Sequence, residues 1–208
     1  PETMLCITYK ENAGSFLAGY VAMKLSKTGV VGVVGGEDSA TINNFIVGYQ
    51  QGALYANPEG TVLPAVYTNT YEDPAKGKEA ALSLYDQNAD VVFAVAGKTG
   101  LGVFEAGAEK GALAIGVDSD QKGENPAVVA CSMMKCVGDS VYVVVEQYLN
   151  DGVFEGGSIW DADLSTGLIK LGYGDNTMTQ QVSEELKAEA DALMEKIISG
   201  EIVVGSTR

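Results

Sequence analysis

The 208-residue chain is long enough for one large domain, or two small ones, with a proper hydrophobic core. Its formal net charge of −15 argues against nucleic-acid binding, because phosphate contacts require clustered Lys and Arg side chains. The absence of histidine removes the commonest acid–base catalyst and metal ligand. No apolar run approaches the ~18 residues of a membrane span. These features favour a globular protein that does not bind nucleic acid.

Strands and helices are predicted to alternate through the first half of the chain. Apolar strand patterns start near Met4, Val30, Thr61, Val91 and Ala112. Segments with apolar residues at helical spacing lie between them. Such alternation indicates βαβ units with right-handed crossovers. The predicted fold class is therefore α/β, a three-layer arrangement of a parallel sheet with helices on both faces.

The regular alternation of predicted strands and helices ends after residue 121. A strand is predicted over residues 127–133 and a helix over residues 137–150. Residues 154–171 are rich in glycine and aspartate and hold two short strand candidates, which is typical of a crossing between lobes or of a small hairpin. A final amphipathic helix is predicted over residues 183–199, with Ser183 available to cap its start.

Residues 91–121 give the strongest indication of a binding site. Two apolar runs, typical of neighbouring buried strands, end there in a glycine loop and at Asp118. Ligands of parallel sheets bind beyond the carboxyl ends of the strands. Glu37 and Tyr71 follow the second and third strands, so glycines, carboxylates and an aromatic ring meet at one edge. This combination predicts a binding cleft.

The glycine loop consists of Gly97, Lys98, Thr99 and Gly100, and it has two interpretations. A phosphate-binding P-loop requires a glycine five residues before Gly97, but that position is Val92. The remaining functional interpretation is a helix N-terminus whose N–H groups bind a ligand oxygen. A plain turn between a strand and a helix is equally compatible with the sequence.

Three charged residues near these strand ends are candidates for ligand contacts. Asp118 and Asp120 are compatible with a metal pair, a catalytic pair or hydroxyl acceptors. A carboxylate accepts hydrogen bonds from two vicinal hydroxyls, which suits a sugar. We therefore interpret Asp118 as a residue that binds the ligand and Asp120 as a residue with a structural role. Lys135 ends an apolar strand, where an isolated cation is unusual. The alternative for Lys135 is a solvated lysine at a strand end.

The three cysteines, Cys6, Cys131 and Cys136, are predicted to be thiols that pack in the interior. Cys131 and Cys136 are close in sequence, but one is predicted to end a strand and the other to begin a helix. A disulfide is therefore the less favoured interpretation. Without histidine or a CxxC pair, no zinc site is expected.

Five linked motifs resemble the basic membrane protein family, the nucleoside-binding lipoproteins of bacterial ABC transporters in the type I periplasmic-binding-protein superfamily. They are ENAGSFLAGYVA, VGVVGGEDSATINNFIVGYQQGA, YEDPAKGKEAALSLYDQNADVVFAVAGKTGLGVFEA, AIGVDSDQ and CSMMKCVGDSVY. The resemblance implies a binding protein rather than an enzyme, whose lobes close on a purine nucleoside without a cofactor. It also implies ABC permease subunits as partners and a location outside the cytoplasm, on the cell surface or in the periplasm.

The resemblance assigns roles to individual residues. Asp118 matches the aspartate that accepts the ribose hydroxyls, and Lys135 matches the lysine that reaches the ligand. The glycine loop matches a family AGGTG loop, in which Lys98 replaces the usual glycine. Glu37 and Asn43 lie where related sugar-binding proteins place side chains of the cleft.

The resemblance also implies an N-terminal segment of ~100 residues before Met4 that carries the lipidated cysteine and part of the pocket. A start without Met fits a processed or truncated product. We expect residues 8–117 and 156–208 to form a nearly complete C-terminal lobe, and residues 118–155 to be a remnant of the other lobe. The hinge is predicted at these two boundaries. Apolar surface left uncovered predicts self-association.

Three alternatives remain open from the sequence. An enzyme would need a base or nucleophile, and the sequence offers neither histidine nor a GxSxG elbow. The effector-sensing domain of a regulator has the same fold but normally follows a helix-turn-helix. A binding protein for a flavin or a sugar would keep the family motifs and change the aromatic residues.

Overall fold

A computed structural model describes residues 2–207 and contains nine strands and six α-helices within them. The strands are β1 (Cys6–Tyr9), β2 (Val30–Gly35), β3 (Thr61–Val62), β4 (Val66–Tyr67), β5 (Val91–Val95), β6 (Leu113–Asp118), β7 (Val129–Lys135), β8 (Ile159–Ala162) and β9 (Ile169–Gly172). The helices are α1 (Glu11–Leu25), α2 (Ala40–Ala56), α3 (Pro74–Tyr85), α4 (Leu101–Lys110), α5 (Val137–Asp151) and α6 (Glu184–Ile198).

Seven strands form one large sheet in the order β3-β2-β5-β6-β7-β9, with β4 also paired to β2. All pairs are parallel except β7 with β9, which is antiparallel. The predicted strand near Thr61 is divided into β3 and β4, which pair with successive parts of β2. The predicted parallel α/β sheet is therefore confirmed.

Helices cover both faces of the large sheet. Helices α1, α2 and α6 contribute to the hydrophobic core on one face, and α3 and α4 to the core on the other. In β5, Phe93 and Val95 point into the first core, whereas Val92 and Ala94 point into the second. Because a strand buried on both faces exposes none of its side chains, its sequence is a continuous apolar run.

Side-chain caps begin α3 and α6, and the cap of α6 by Ser183 confirms the prediction. The Asp73 carboxylate accepts a hydrogen bond from the Ala75 N–H at 3.1 Å, and Pro74 occupies the first turn, where no N–H is required. The Ser183 hydroxyl accepts one from the Leu186 N–H at 3.2 Å.

Strands β1 and β8 form a separate two-stranded parallel sheet, and with α5 they make what we call the small layer. The Tyr9 hydroxyl and the Ser140 hydroxyl are 2.6 Å apart and link β1 to α5, in which Ser140 is the one buried residue. Among residues 2–207, the core of this layer has three buried apolar residues, Cys136, Ala162 and Leu168. The small layer therefore buries too few apolar side chains to have the core of an independent domain.

Strand pairing differs from the predicted division of the chain. Strand β7 lies within residues 118–155 but belongs to the large sheet, and β8 lies within residues 156–208 but belongs to the small layer. The reason is that hydrophobic periodicity defines a strand without identifying its partner. The assignment of these pieces to the lobes of a longer protein stays a prediction.

The chain passes between the two sheets at residues 9–11, 135–137 and 162–169. The Lys10 N–H donates to the Ala162 carbonyl at 2.9 Å, and the Cys136 N–H donates to the Leu168 carbonyl at 2.8 Å. The predicted hinge, through Asp118 and residues 155–157, lies outside these passages and stays a prediction.

Cys131 and Cys136 are buried free thiols, as predicted, and burial raises the pKa of Cys131 to about 12. The prediction for Cys6 was wrong, because its strand β1 lies in the thin small layer and leaves the thiol exposed. None of the helices in residues 2–207 is long and apolar enough to cross a membrane. The same residues contain no cluster of three or more His, Cys, Asp or Glu that could hold a metal ion.

Candidate ligand-binding site

The predicted site residues follow the carboxyl ends of the parallel strands. Glu37 follows β2, Tyr71 follows β4, the glycine loop follows β5, and Asp118 and Lys135 end β6 and β7. Strand register brings the last two together, because Asp118 is paired with the residue that precedes Lys135. The edge predicted to bind ligand therefore carries all of these loops.

Asp118 and Lys135 form an ion pair with 3.2 Å between Oδ1 and Nζ. Asp118 is 52% exposed and Lys135 is 18% exposed at the side chain, so the carboxylate remains open to solvent while the ammonium is largely covered. Both line a cavity of about 460 Å³ together with Ser119, Val137 and Asp139. An acceptor and a donor are thus fixed side by side on the wall of an open cavity.

Two aromatic rings hold the Lys135 ammonium in place. The ammonium lies 5.3 Å from the centre of the Phe45 ring and 5.9 Å from that of the Tyr9 ring. Both distances are within the range of cation–π attraction. Lys135 is therefore a positioned charge rather than a solvated lysine at a strand end. Phe45 comes from α2 and Tyr9 from β1, so two distant segments support it.

The backbone of Asp118 is left-handed, with φ of +64°, which is uncommon outside glycine and costs free energy unless the surroundings fix it. The Ser119 N–H donates to the Val117 carbonyl at 2.8 Å. The Gln121 side-chain carbonyl accepts from the Val117 N–H at 2.8 Å, and the Gln121 N–H donates to the Ser132 hydroxyl at 3.0 Å. These bonds close a tight turn that holds the Asp118 carboxylate at the end of the sheet.

The turn continues into a buried lysine that the sequence did not reveal. Lys122 is fully buried, and its ammonium donates to the carbonyls of Val129 at 2.6 Å and Ala130 at 3.3 Å, and to Gln181. Burial lowers the pKa of Lys122. Asp120 accepts from the N–H groups of Lys122 at 3.1 Å and Gly174 at 2.8 Å. The structural role inferred for Asp120 is consistent with these backbone contacts.

In the glycine loop, Gly97 has a positive φ of +56°, and Thr99 is fully buried. The Thr99 N–H donates to the Tyr71 carbonyl at 3.1 Å, and the Thr99 hydroxyl accepts from the Asp73 N–H at 2.9 Å. Lys98 is exposed and pairs with Glu72, with 2.7 Å between Nζ and Oε2. That hydrogen bond and the nearby negative charge raise the pKa of Lys98. Two of the four predicted loop residues, Lys98 and Thr99, thus contact the neighbouring loop.

The Tyr71 ring is packed against the end of β2. A Cβ atom added to Gly36 would lie 2.1 Å from Tyr71 Cε1, so only glycine leaves room for the ring. A Cβ atom at Gly97 would lie 3.3 Å from the Tyr71 Cβ. The ring is half-buried and therefore presents part of its surface at the edge of the sheet.

Glu37 and Asn43 lie at the same end of the large sheet but do not line the cavity at Asp118. Glu37 is exposed on the loop after β2. The Asn43 amide donates to the Asp38 carboxylate at 2.7 Å and accepts from the Tyr67 hydroxyl at 2.5 Å. Burial is the main reason that the pKa of Tyr67 is raised. Tyr71 and the glycine loop also lie outside the lining of that cavity.

The fold and the polar edge are those of a periplasmic-binding-protein-like α/β protein. A solute-binding protein of an ABC transporter system from Aeropyrum pernix K1 superposes with a TM-score of 0.84 at 25% identity, covering 98% of this chain and 67% of that one. A transcriptional activator of the comK gene from Bacillus halodurans superposes with a TM-score of 0.83 at 23% identity, covering 99% and 69% of the two chains. At 23% identity, the similarity to the transcriptional activator shows that the fold is shared and supports no conclusion about function.

The sequence profile of the family described as ABC transporter substrate-binding protein PnrA-like matches residues 2–208, and the chain belongs to this Bmp family. Basic membrane protein A1 of Borrelia garinii subsp. bavariensis is 34% identical over 206 residues, which are 98% of this chain and 60% of that relative. The chain thus spans about three fifths of the length of this curated relative. The resemblance inferred from the motifs is confirmed.

Proposed function

We propose that this chain is part of the substrate-binding component of a bacterial ABC importer, and that its ligand is a purine nucleoside. The observation that carries the proposal is the ion pair of Asp118 with Lys135 at the carboxyl ends of two adjacent parallel strands. Family membership supports the class of protein. The choice of a purine nucleoside rests on the resemblance to the basic membrane protein family, and the chemistry of the site residues is compatible with it.

A nucleoside offers a vicinal diol and a flat base, and the site offers a matching group for each. The two carboxylate oxygens of Asp118 accept hydrogen bonds from the ribose hydroxyls, and the Lys135 ammonium donates to a ligand oxygen or nitrogen. The partly exposed Tyr71 ring provides a surface on which a base stacks. Glu37, Asn43 and the N–H groups at Gly97 and Gly100 remain candidates for further contacts.

The large sheet forms one side of the proposed cleft, and the small layer is the beginning of the other. Its small core and its connections to the large sheet at three passages support its assignment to a second lobe. Closure of the two lobes on the ligand would occur at these passages. Permease subunits of an ABC importer are the proposed protein partners, and the proposed location is outside the cytoplasm, as a lipoprotein or in the periplasm.

A thermal-shift screen of the complete gene product tests this proposal. Purine and pyrimidine nucleosides, free bases, free sugars and riboflavin are added separately, because a ligand that binds only the folded state raises the unfolding temperature. We expect purine nucleosides to give the largest shift and free bases or ribose little. A shift with riboflavin or a sugar alone would replace the nucleoside assignment, and turnover of any nucleoside would contradict a pure binding role.

Helix α5 carries an exposed apolar stripe that predicts self-association of the 208-residue chain. Val141, Val145 and Leu149 are 52%, 48% and 74% exposed and recur every four residues along the helix. Exposed apolar surface of this kind pairs with other apolar surface. We expect multi-angle light scattering to give a dimer at high concentration, and the V141E/L149E variant to be monomeric.

The matched control for this prediction is V203E, which places a carboxylate on another exposed apolar side chain outside α5. It should leave the dimer intact. A clean monomer for the unsubstituted chain at high concentration would contradict self-association.

A further inference from the structure

Two loops of the proposed cleft are fastened to each other by three contacts from the glycine loop. The Thr99 N–H donates to the Tyr71 carbonyl at 3.1 Å, and the Thr99 hydroxyl bonds to the Asp73 N–H at 2.9 Å and the Thr70 carbonyl at 3.3 Å. Thr99 is fully buried and cannot touch a ligand in the cleft. Its contacts therefore fix the loop that carries Tyr71 from the inside.

Lys98 provides a second fastening on the solvent side of the same two loops. Its ammonium is 2.7 Å from the Glu72 carboxylate, and both side chains are highly exposed. Glu72 is the residue directly after Tyr71, so this pair acts next to the aromatic ring. The positive charge of Lys98 is neutralised by Glu72 and is not directed into the cavity at Asp118.

We propose that Lys98 and Glu72 are positioning residues: their ion pair clasps the Tyr71 loop to the glycine loop and holds the Tyr71 ring over Gly36, where it stacks on the base of the ligand. The proposal rests on the proposed nucleoside-binding function for its effect on affinity. Lys98 is the position at which this loop departs from the AGGTG pattern, and the clasp gives that departure a physical role. In this proposal Lys98 does not contact the ligand but affects ligand binding indirectly, through the position of Tyr71.

The protein contains a matched ion pair that serves as a control. Lys110 and Asp86 are also 2.7 Å apart, and Asp86 immediately follows α3 while Lys110 ends α4. The pair therefore joins the same two helical units at their opposite ends, away from the carboxyl edge of the sheet. An exposed ion pair contributes little to overall stability, so both pairs should have similarly small effects on unfolding.

The first test needs no ligand and measures hydrogen exchange of the backbone in residues 69–73 and 97–100. E72Q and K98M should each speed exchange in these segments by about two- to fivefold. An exposed ion pair stabilises the closed form of a loop by no more than about this factor. D86N should leave these segments unchanged. The doubly reversed variant E72K/K98E should restore slow exchange, because the pair is remade with opposite polarity.

The second test measures the affinity of the complete gene product for inosine, guanosine and adenosine. E72Q and K98M should weaken the nucleoside that binds best by about two- to fivefold, and the difference from the unsubstituted protein should vanish near 1 M salt, which screens exposed charges. Unchanged exchange and affinity in both variants would overturn the clasp. Faster exchange in a protein that binds no nucleoside would uphold the clasp and reject the nucleoside as its ligand. Weaker binding by K98M that E72Q does not reproduce would overturn the clasp in favour of a direct ligand contact.

Discussion

Replacing Asp118 by Asn is expected to weaken binding of a purine nucleoside by about 100-fold while leaving the fold unchanged. The carboxylate is proposed to accept two hydrogen bonds from the ribose, and bonds to a charged group contribute about 1.5–3 kcal/mol each. Asn keeps one acceptor oxygen and loses the charge, so a loss of about 3 kcal/mol is expected, which is a factor of about 100. Isothermal titration of the complete gene product with the nucleoside found by screening measures the change.

Asn is the informative replacement because of the backbone at this position. Asp118 has a φ of +64°, and Asn is one of the few residues that adopt this left-handed region readily. The turn from Val117 to Gln121 should therefore survive the substitution, and the change in affinity reports on the carboxylate. Alanine would combine that loss with backbone strain.

D86N is the control, since Asp86 is an exposed carboxylate that follows α3 and pairs with Lys110, away from the carboxyl edge of the sheet. Its affinity for the nucleoside should stay within about twofold of the parent, as expected for a surface group outside the contact. A second comparison uses the 2′-deoxynucleoside, which the parent should bind much more weakly and D118N only slightly more weakly than the ribose form. Affinity of D118N within threefold of the parent would contradict the assignment of Asp118 to the ribose.

The α/β fold was predictable because buried parallel strands leave an unmistakable pattern. In β5 every side chain faces a core, as do the apolar side chains of β6 before Asp118, so apolar runs and the intervening helix identify both strands directly. Strand β1 was harder, because its pattern resembles that of β2 while its partner is β8, about 150 residues away. Long-range pairing depends on the whole packing arrangement and is not encoded in the local period.

The site was predictable to the extent that it lies at strand ends. Asp118 and Lys135 end apolar strands, where a charge is conspicuous, and the structure places them 3.2 Å apart. The support of Lys135 by Phe45 and Tyr9 was not predictable, because an aromatic residue on an apolar face has the same signature whether it fills the core or holds a cation. The burial of Lys122 was not predictable either, because a lysine in a polar loop is normally exposed to solvent.

Helix packing connects the core to the site through α2. Gly19 of α1 and Gly48 and Gly52 of α2 lie at the contact between the helices, where their missing side chains allow the backbones to touch. The same helix α2 carries Phe45, whose ring contacts the Lys135 ammonium. The distance between α1 and α2 therefore affects both stability and the position of the charged pair.

Replacing Gly52 by Ala is expected to lower the free energy of unfolding by about 3 kcal/mol, at the upper end of the usual cost of overpacking. The new Cβ would lie 1.8 Å from the carbonyl oxygen of Phe16, a backbone atom that moves only if the two helices separate. Urea unfolding followed by circular dichroism measures the loss, and nucleoside affinity should fall as well because Phe45 shifts with α2.

The control is Gly138, which lies in the first turn of α5 with no atom within 4 Å of an added Cβ. G138A should leave stability unchanged or raise it by up to about 1 kcal/mol, because alanine is a better helix former than glycine. G52A is thus expected to destabilise the protein, whereas G138A is not. Equal effects would mean that helix propensity, rather than the contact with the Phe16 carbonyl, sets the response at Gly52.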